Sequence, residues 1–142
     1  MLKYKLYQDN RDGSSTKGKW YARVAVDETI DLDGLAKHMA AHHSPYSEGL
    51  ITGILKDMIA CIRELALDGK AVKIPDLAIF SLGIKTKPAD SPENFTPQKN
   101  VESVRLRSRA TGIFTRPQLG LVAKMKEKDT YSVNEDGEGG EG

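Results

Sequence analysis

Ser44-Pro45-Tyr46-Ser47-Glu48-Gly49-Leu50-Ile51-Thr52-Gly53-Ile54-Leu55-Lys56-Asp57-Met58-Ile59-Ala60-Cys61-Ile62-Arg63-Glu64-Leu65-Ala66-Leu67 is the stretch that decides the fold. Ser44 followed by Pro45 reads as an N-cap with proline at the first helical position, so the spacing predicts a helix over about 45–67. At about 100° per residue its apolar side chains cover an arc of about 180°, against the roughly 100° that one core requires. Thr52, Lys56, Asp57, Arg63 and Glu64 fill the rest. A helix apolar over half its circumference packs on two sides. A chain of 142 residues is one domain's length, so the second side is assigned to another subunit and a homodimer is predicted. Cys61 falls inside the apolar arc and reads as a buried, inert thiol. Asp68-Gly69 stops the helix.

Working outward, Asp31 or Thr29 can cap a shorter helix that carries Leu32, Leu35, Ala36, Met39 and Ala40 on one face and ends near His42-His43. Downstream, Val72-Lys73-Ile74 and Ile79 to Lys85 read as strands, the second alternating Phe80, Leu82 and Ile84 with Ser81, Gly83 and Lys85. Residues 86–100 hold Pro88, Pro92 and Pro97 and are expected to form an extended or flexible protrusion. The chain returns as a strand at 104–109 and closes with a short helix over about 116–126. Ahead of the helices, strands at 2–7 and 19–26 flank a turn-rich loop and form a hairpin in which Trp20 is expected to be core.

The returning strand places Val104 and Leu106 on one face and Arg105, Arg107 and Arg109 on the other, about 6.6 to 6.8 Å apart. That spacing is commensurate with the repeat of phosphates along a nucleic-acid strand, and guanidinium forks give bidentate hydrogen bonds to phosphate. The plainer alternative is a solvated sheet face whose arginines pair with carboxylates across the strands. The charge distribution bears on the choice. Residues 127–142 hold six acids and Lys128, a net −5, so the body at 1–126 carries +6 although the whole chain has +1. With so little to bury, 127–142 is expected to be a disordered acidic tail.

Other chemistries find little support. One cysteine excludes an internal disulfide and multi-cysteine metal sites. His38 and His42 sit four apart, but Met39 follows His38 where a zinc-protease motif has Glu, so no metal site is expected. There is no glycine-rich phosphate loop, serine nucleophile elbow or carboxylate pair in an apolar setting. The chain is therefore read as a non-enzyme with no cofactor and no small-molecule substrate. No run of 18 apolar residues spans a membrane, and Met1-Leu2-Lys3-Tyr4-Lys5 lacks a signal-peptide pattern, so a cytoplasmic protein is expected.

Leu67 to Phe80, ending in Asp76-Leu77-Ala78-Ile79-Phe80, resembles the helix-to-strand segment of the HU/IHF family of histone-like DNA-binding proteins. That family usually has Gly-Phe-Gly-x-Phe there. The likeness covers roughly 28–126 and rests on the order of elements. The added N-terminal hairpin and Asn100-Val101-Glu102-Ser103-Val104-Arg105-Leu106-Arg107 look most like the longer HU-like branch of Bacteroidetes. The resemblance implies an α+β fold: an intertwined dimer with a helical base, a β-sheet and two-stranded arms that reach round duplex DNA. It implies three segments, an N-terminal β-hairpin extension at 1–27, the HU/IHF-like domain at 28–126 and the acidic tail at 127–142. It also implies an arm proline that wedges between base steps, here Pro97, with Lys85, Lys87, Lys99, Arg105 and Arg107 as phosphate contacts beside Arg109 of the stripe. Where the family has Arg-Asn before that proline this chain has Phe95-Thr96, which offers Phe95 as a second wedge.

Two functions follow as expectations. The first is a sequence-tolerant, nucleoid-associated protein that binds and bends double-stranded DNA as a homodimer. The second is a dimeric HU-like protein-interaction module with weak or no DNA binding, in which Asp90, Glu93 and the acidic tail oppose DNA and Trp20 and Tyr21 serve a partner.

Overall fold

The computed structural model describes residues 1–129; the segment 130–142, most of the expected acidic tail, lies outside the described residues. The elements are β1 (Leu2–Gln8), β2 (Trp20–Val24), α1 (Leu32–Ala41), α2 (Glu48–Leu67), β3 (Val72–Ile74), β4 (Ala78–Thr86), α3 (Pro97–Asn100), β5 (Val101–Ala110), α4 (Arg116–Val122) and β6 (Met125–Glu127). Two three-stranded sheets result, ordered β2-β1-β6 and β3-β4-β5. The described residues divide into two compact units, one of residues 30–120 and one of 1–29 with 121–129.

In the unit of residues 30–120, Asp31 caps α1 by accepting from the Gly34 amide at 2.8 Å. The second helix begins three residues later than the Ser44-Pro45 signal predicts. Ser47 is its cap, accepting from Leu50 N at 3.2 Å, while the Ser44 hydroxyl accepts from Tyr46 N and holds a turn. His43, at φ +59, bends the chain between the two helices. Gly69 at φ +78 ends α2, with Gly69 N donating to Ala66 O and Lys70 N to Leu65 O, a Schellman closure.

Where the family has glycine, Asp76 takes a left-handed conformation at φ +62. Its Oδ1 accepts from Ile113 N at 3.2 Å, and Gly112 leaves the room, since a Cβ there would lie 1.9 Å from that oxygen. One missing glycine of the motif is thus met by an aspartate whose carboxylate offsets the backbone cost with a hydrogen bond.

Among the described residues the buried apolar side chains are Ala36, Ile51, Ala66 and Ala78. Leu50, Ile54, Ile59 and Leu65 of α2 are exposed, as is Cys61, against the expectation of a buried thiol. The physical reason is the width of the apolar arc, which one chain's β3–β4–β5 sheet and α1 do not cover. A groove of about 610 Å³ remains, lined by Met58, Ile59 and Ile62 of α2 with Phe80, Leu82 and Leu106 of the sheet.

In the other unit β1 pairs antiparallel with β2 and parallel with β6. The C-terminal helix stops at Val122, short of the predicted 126, because Leu2 N takes the Lys124 carbonyl at 2.8 Å and draws Met125–Glu127 into the sheet. Glu127, placed in the tail by sequence, is therefore a strand residue. The 9–19 loop is organised by Asp9, 4% exposed, whose carboxylate accepts from Arg11 N, Nε and Nη2, the Ser14 hydroxyl and the Thr16 hydroxyl. The Arg11 guanidinium first, then the Thr16 hydroxyl, hold that carboxyl far below the usual range. Trp20 is exposed rather than core, on the face it shares with Leu6 and Val24.

Candidate nucleic-acid interface

The site is built by the pleat of the β4–β5 ladder. Partners across the ladder are Ile79 with Arg109, Ser81 with Arg107, Gly83 with Arg105 and Lys85 with Ser103. Directly paired residues share a face, so Lys85, Arg105, Arg107 and Arg109 lie together and point away from Phe80, Leu82, Ile84, Val104 and Leu106. Lys73, opposite Ile79 on β3, extends the row to a third strand. No carboxylate stands opposite the arginines, and among the described residues none of the three makes an ion pair. The alternative of cross-strand neutralisation therefore does not describe this face.

Gly83 shapes the stripe. A Cβ there would lie 2.6 Å from Arg107 Cδ, 3.3 Å from its Cγ and 3.8 Å from Arg105 Nε, so both arginine stems run over the bare glycine backbone. Sequence reasoning placed Gly83 and Lys73 in strands but gave neither a part in the site. The alternation that found the arginines also held the signal for both, because it places a small residue and a lysine on the same face.

The two lysines at the end of the ladder differ from the arginines. A register shift between Lys85 and Thr86 leaves Glu102 as an extra residue on β5. Its carboxylate meets Lys85 Nζ at 2.9 Å and Lys87 Nζ at 3.8 Å. These two cations are thus partly neutralised, although an exposed pair of this kind is worth little in water.

Beyond the ladder, residues 87–100 fold back on themselves rather than extending. Asn100, 7% exposed, donates to the carbonyls of Lys87 and Pro88 and accepts from Thr96 N at 3.0 Å. Pro92–Asn94 forms a 3-10 turn and Pro97–Asn100 the turn α3. The prolines that suggested an open protrusion start helical turns, as the fixed φ of proline allows. Pro97 is the first residue of α3, with Lys99 two residues on, and both are exposed. Phe95 is exposed beside them. Pro97 and Lys99 are thereby set apart from the arginine row.

His38 and His42 are in contact, Nε2 to Nε2 at 3.1 Å, so one ring donates and the other accepts. Among the described residues no group of three or more His, Cys, Asp or Glu could hold a metal ion, and no helix is long and apolar enough to cross a membrane.

Comparisons with known proteins bear on the fold and the family. No curated protein matches the chain. Among solved structures it is similar to a candidate bacterial DNA-binding protein from Bacteroides vulgatus ATCC 8482, with a TM-score of 0.65 at 12% identity. The alignment covers 89% of this chain and 47% of that one, so the chain spans about half the length of that relative. At that identity the likeness is one of fold. The sequence matches a family described as an HU domain fused to a wHTH, Ig or glycine-rich motif, over residues 1–116. With an α+β architecture, an HU-like β-ladder and most of its length inside that match, the chain belongs to the HU-HIG family.

Proposed function

We propose that this protein is a sequence-tolerant architectural protein that binds double-stranded DNA as a homodimer, with each β4–β5 ladder acting as an arm along the duplex. The observation that carries the reading is the row of Arg105, Arg107 and Arg109, all exposed, on one strand face with no carboxylate opposite. Such a row supplies phosphate contacts without base readout, which is how architectural proteins hold DNA. Pro97 and Phe95, exposed beyond the ladder, are the residues assigned to wedge between base steps and bend the duplex. Lys85, Lys87 and Lys99 add phosphate contacts, the first two in competition with Glu102.

The dimer is supported by the small apolar core of the described residues, Ala36, Ile51, Ala66 and Ala78, and by the open groove between α2 and the sheet. Covering Ile54, Ile59, Leu82 and Leu106 with a second copy removes apolar surface worth roughly 25 cal/mol per Å². The reading makes the protein a cytoplasmic, nucleoid-associated one of the longer HU-like branch of Bacteroidetes, without enzymatic activity or cofactor.

The test is anisotropy of a labelled mixed-sequence duplex of about 30 base pairs across roughly 50 to 200 mM salt. Each phosphate neutralised should contribute a slope near −0.9 to log affinity against log salt. Arg105→Ala/Arg107→Ala should flatten that slope by about 0.9 for every arginine taken out of the interface. The second reading, an HU-like interaction module, is favoured by the pairing of Lys85 and Lys87 with Glu102. Absence of salt-dependent binding at the lowest salt would select it.

A further inference from the structure

The β2–β1–β6 sheet has a face that the arm reading does not use. Register sets Lys5 opposite Arg23, Tyr7 opposite Tyr21, and Lys3 opposite Lys126. These six side chains share one face, while Leu2, Leu6, Trp20, Val24 and Met125 occupy the other. The first face is cationic and aromatic throughout its three strands. Its rings are ordered: Tyr7 and Tyr21 stack with centroids 5.8 Å apart and 27° between planes, and the Arg23 guanidinium lies over Tyr7 at 5.7 Å. Each tyrosine remains 41% exposed.

Charge on this face is mostly uncommitted. Lys3 pairs with Asp27 at 2.9 Å, and Asp27 also meets Lys128, but among the described residues Lys5, Arg23 and Lys126 make no ion pair. At the loop end a recess of about 460 Å³ is lined by Tyr7, Gln8, Asp9, Asn10, Arg11 and Tyr21, with the Asp9 carboxylate taken up by Arg11.

We propose that this face is a second nucleic-acid site, one that takes single-stranded nucleic acid, with bases stacking at the Arg23–Tyr7–Tyr21 column and phosphates held by Lys5 and Lys126. The face complements a single strand in both charge and ring surface. It carries more cation than anion, since Asp27 meets only Lys3 and Lys128, and the cations it leaves unpaired, Lys5, Arg23 and Lys126, suit a polyanion. Exposed ring and guanidinium planes add something a duplex cannot use, because its bases are already stacked on one another. Unpaired bases present free π-faces and gain affinity from such a column whatever their sequence. A cross-strand tyrosine pair also stabilises a sheet, but that role calls for neither the flanking cations nor the recess.

The experiment uses the full chain and two labelled probes, a dT oligonucleotide of about 12 nucleotides and a duplex. The wild-type protein should bind the single strand, and Tyr7→Leu/Tyr21→Leu should weaken that binding about fivefold or more while leaving duplex affinity unchanged. Lys5→Gln/Arg23→Gln, which alters only exposed side chains, should also weaken it and lower its salt slope. Arg105→Ala/Arg107→Ala should reduce duplex binding and spare the single strand. Single-strand affinity indifferent to both sheet-face variants, or abolished by the arginine variant alone, would overturn the proposal, as would no single-strand binding by the wild type. Loss of duplex binding with tyrosine-dependent single-strand binding intact would instead remove the arm reading and leave this one standing.

Discussion

The two sheets of this protein are built on one plan and differ in what accompanies the charge on their cationic face. Each alternates an apolar and a basic side. On β3-β4-β5 the basic side is a row of arginines facing Gly83, Ser81 and Ile79, so nothing aromatic intervenes and the guanidinium groups stand free. On β2-β1-β6 the basic side interleaves lysines and Arg23 with a stacked tyrosine pair. Bare guanidinium rows suit the regular phosphates of a duplex, whereas rings among cations suit strands whose bases are open. A period-two pattern thus sets where charge lies, and the residues between the charges set what it binds.

The comparison breaks most sharply at residues on opposite faces of the β4–β5 ladder. Leu106→Asp puts a charge on the groove face that the proposed dimer covers, and should cost about 3 kcal/mol or more and dissociate the protein, read by thermal melting and light scattering. Next in size, Gly83→Val drives a side chain into the space of Arg107. It should weaken duplex binding about tenfold with the melting temperature kept, since Val suits a strand and Gly83 needs no positive φ. An unchanged affinity would show that the arginine stems need no such bed.

Smaller effects sharpen the contrast at the ladder's end. Glu102→Gln releases Lys85 and Lys87 and should tighten duplex binding about threefold, with a steeper salt slope, if those lysines reach phosphate. The smallest effect concerns the loop beside the tyrosine face. The Asp9 carboxyl is depressed in the folded state, so its contribution is fully present above the ordinary carboxylate value near about 4 and is lost as pH falls below it. The protection factors of the Ser14 and Thr16 amides, with intrinsic exchange divided out, should fall in acid in the wild-type protein. With Asp9→Asn they should already be low at neutral pH and change little.

Much of this was legible in the chain because side-chain alternation survives folding. Val104 to Arg109 sorted correctly onto two faces, and the width of the α2 arc pointed to apolar surface that the single chain leaves open. What sequence could not show was competition between local signals. Ser44-Pro45 and Ser47 both read as helix caps, and only Ser47 reaches a helical amide. Pro92 and Pro97 suggested an open loop, but buried Asn100 gathers the chain around them. Met125–Glu127 carries a helix-like apolar position, and its pairing with β1 depends on a partner more than a hundred residues away. The tyrosine face escapes a reading along one strand, where Tyr21 adjoins Trp20, because the ring pair forms across two strands.

The central claim is that the unpaired arginine row holds duplex DNA. The most direct measurement is the salt dependence of duplex binding for wild-type protein and for Arg105→Ala/Arg107→Ala/Arg109→Ala, with circular dichroism to show both folded. The account predicts strong salt dependence in the wild type and a slope shallower by about 0.9 for each arginine that no longer reaches a phosphate. A variant that is folded, and that binds with wild-type affinity and slope, would contradict it.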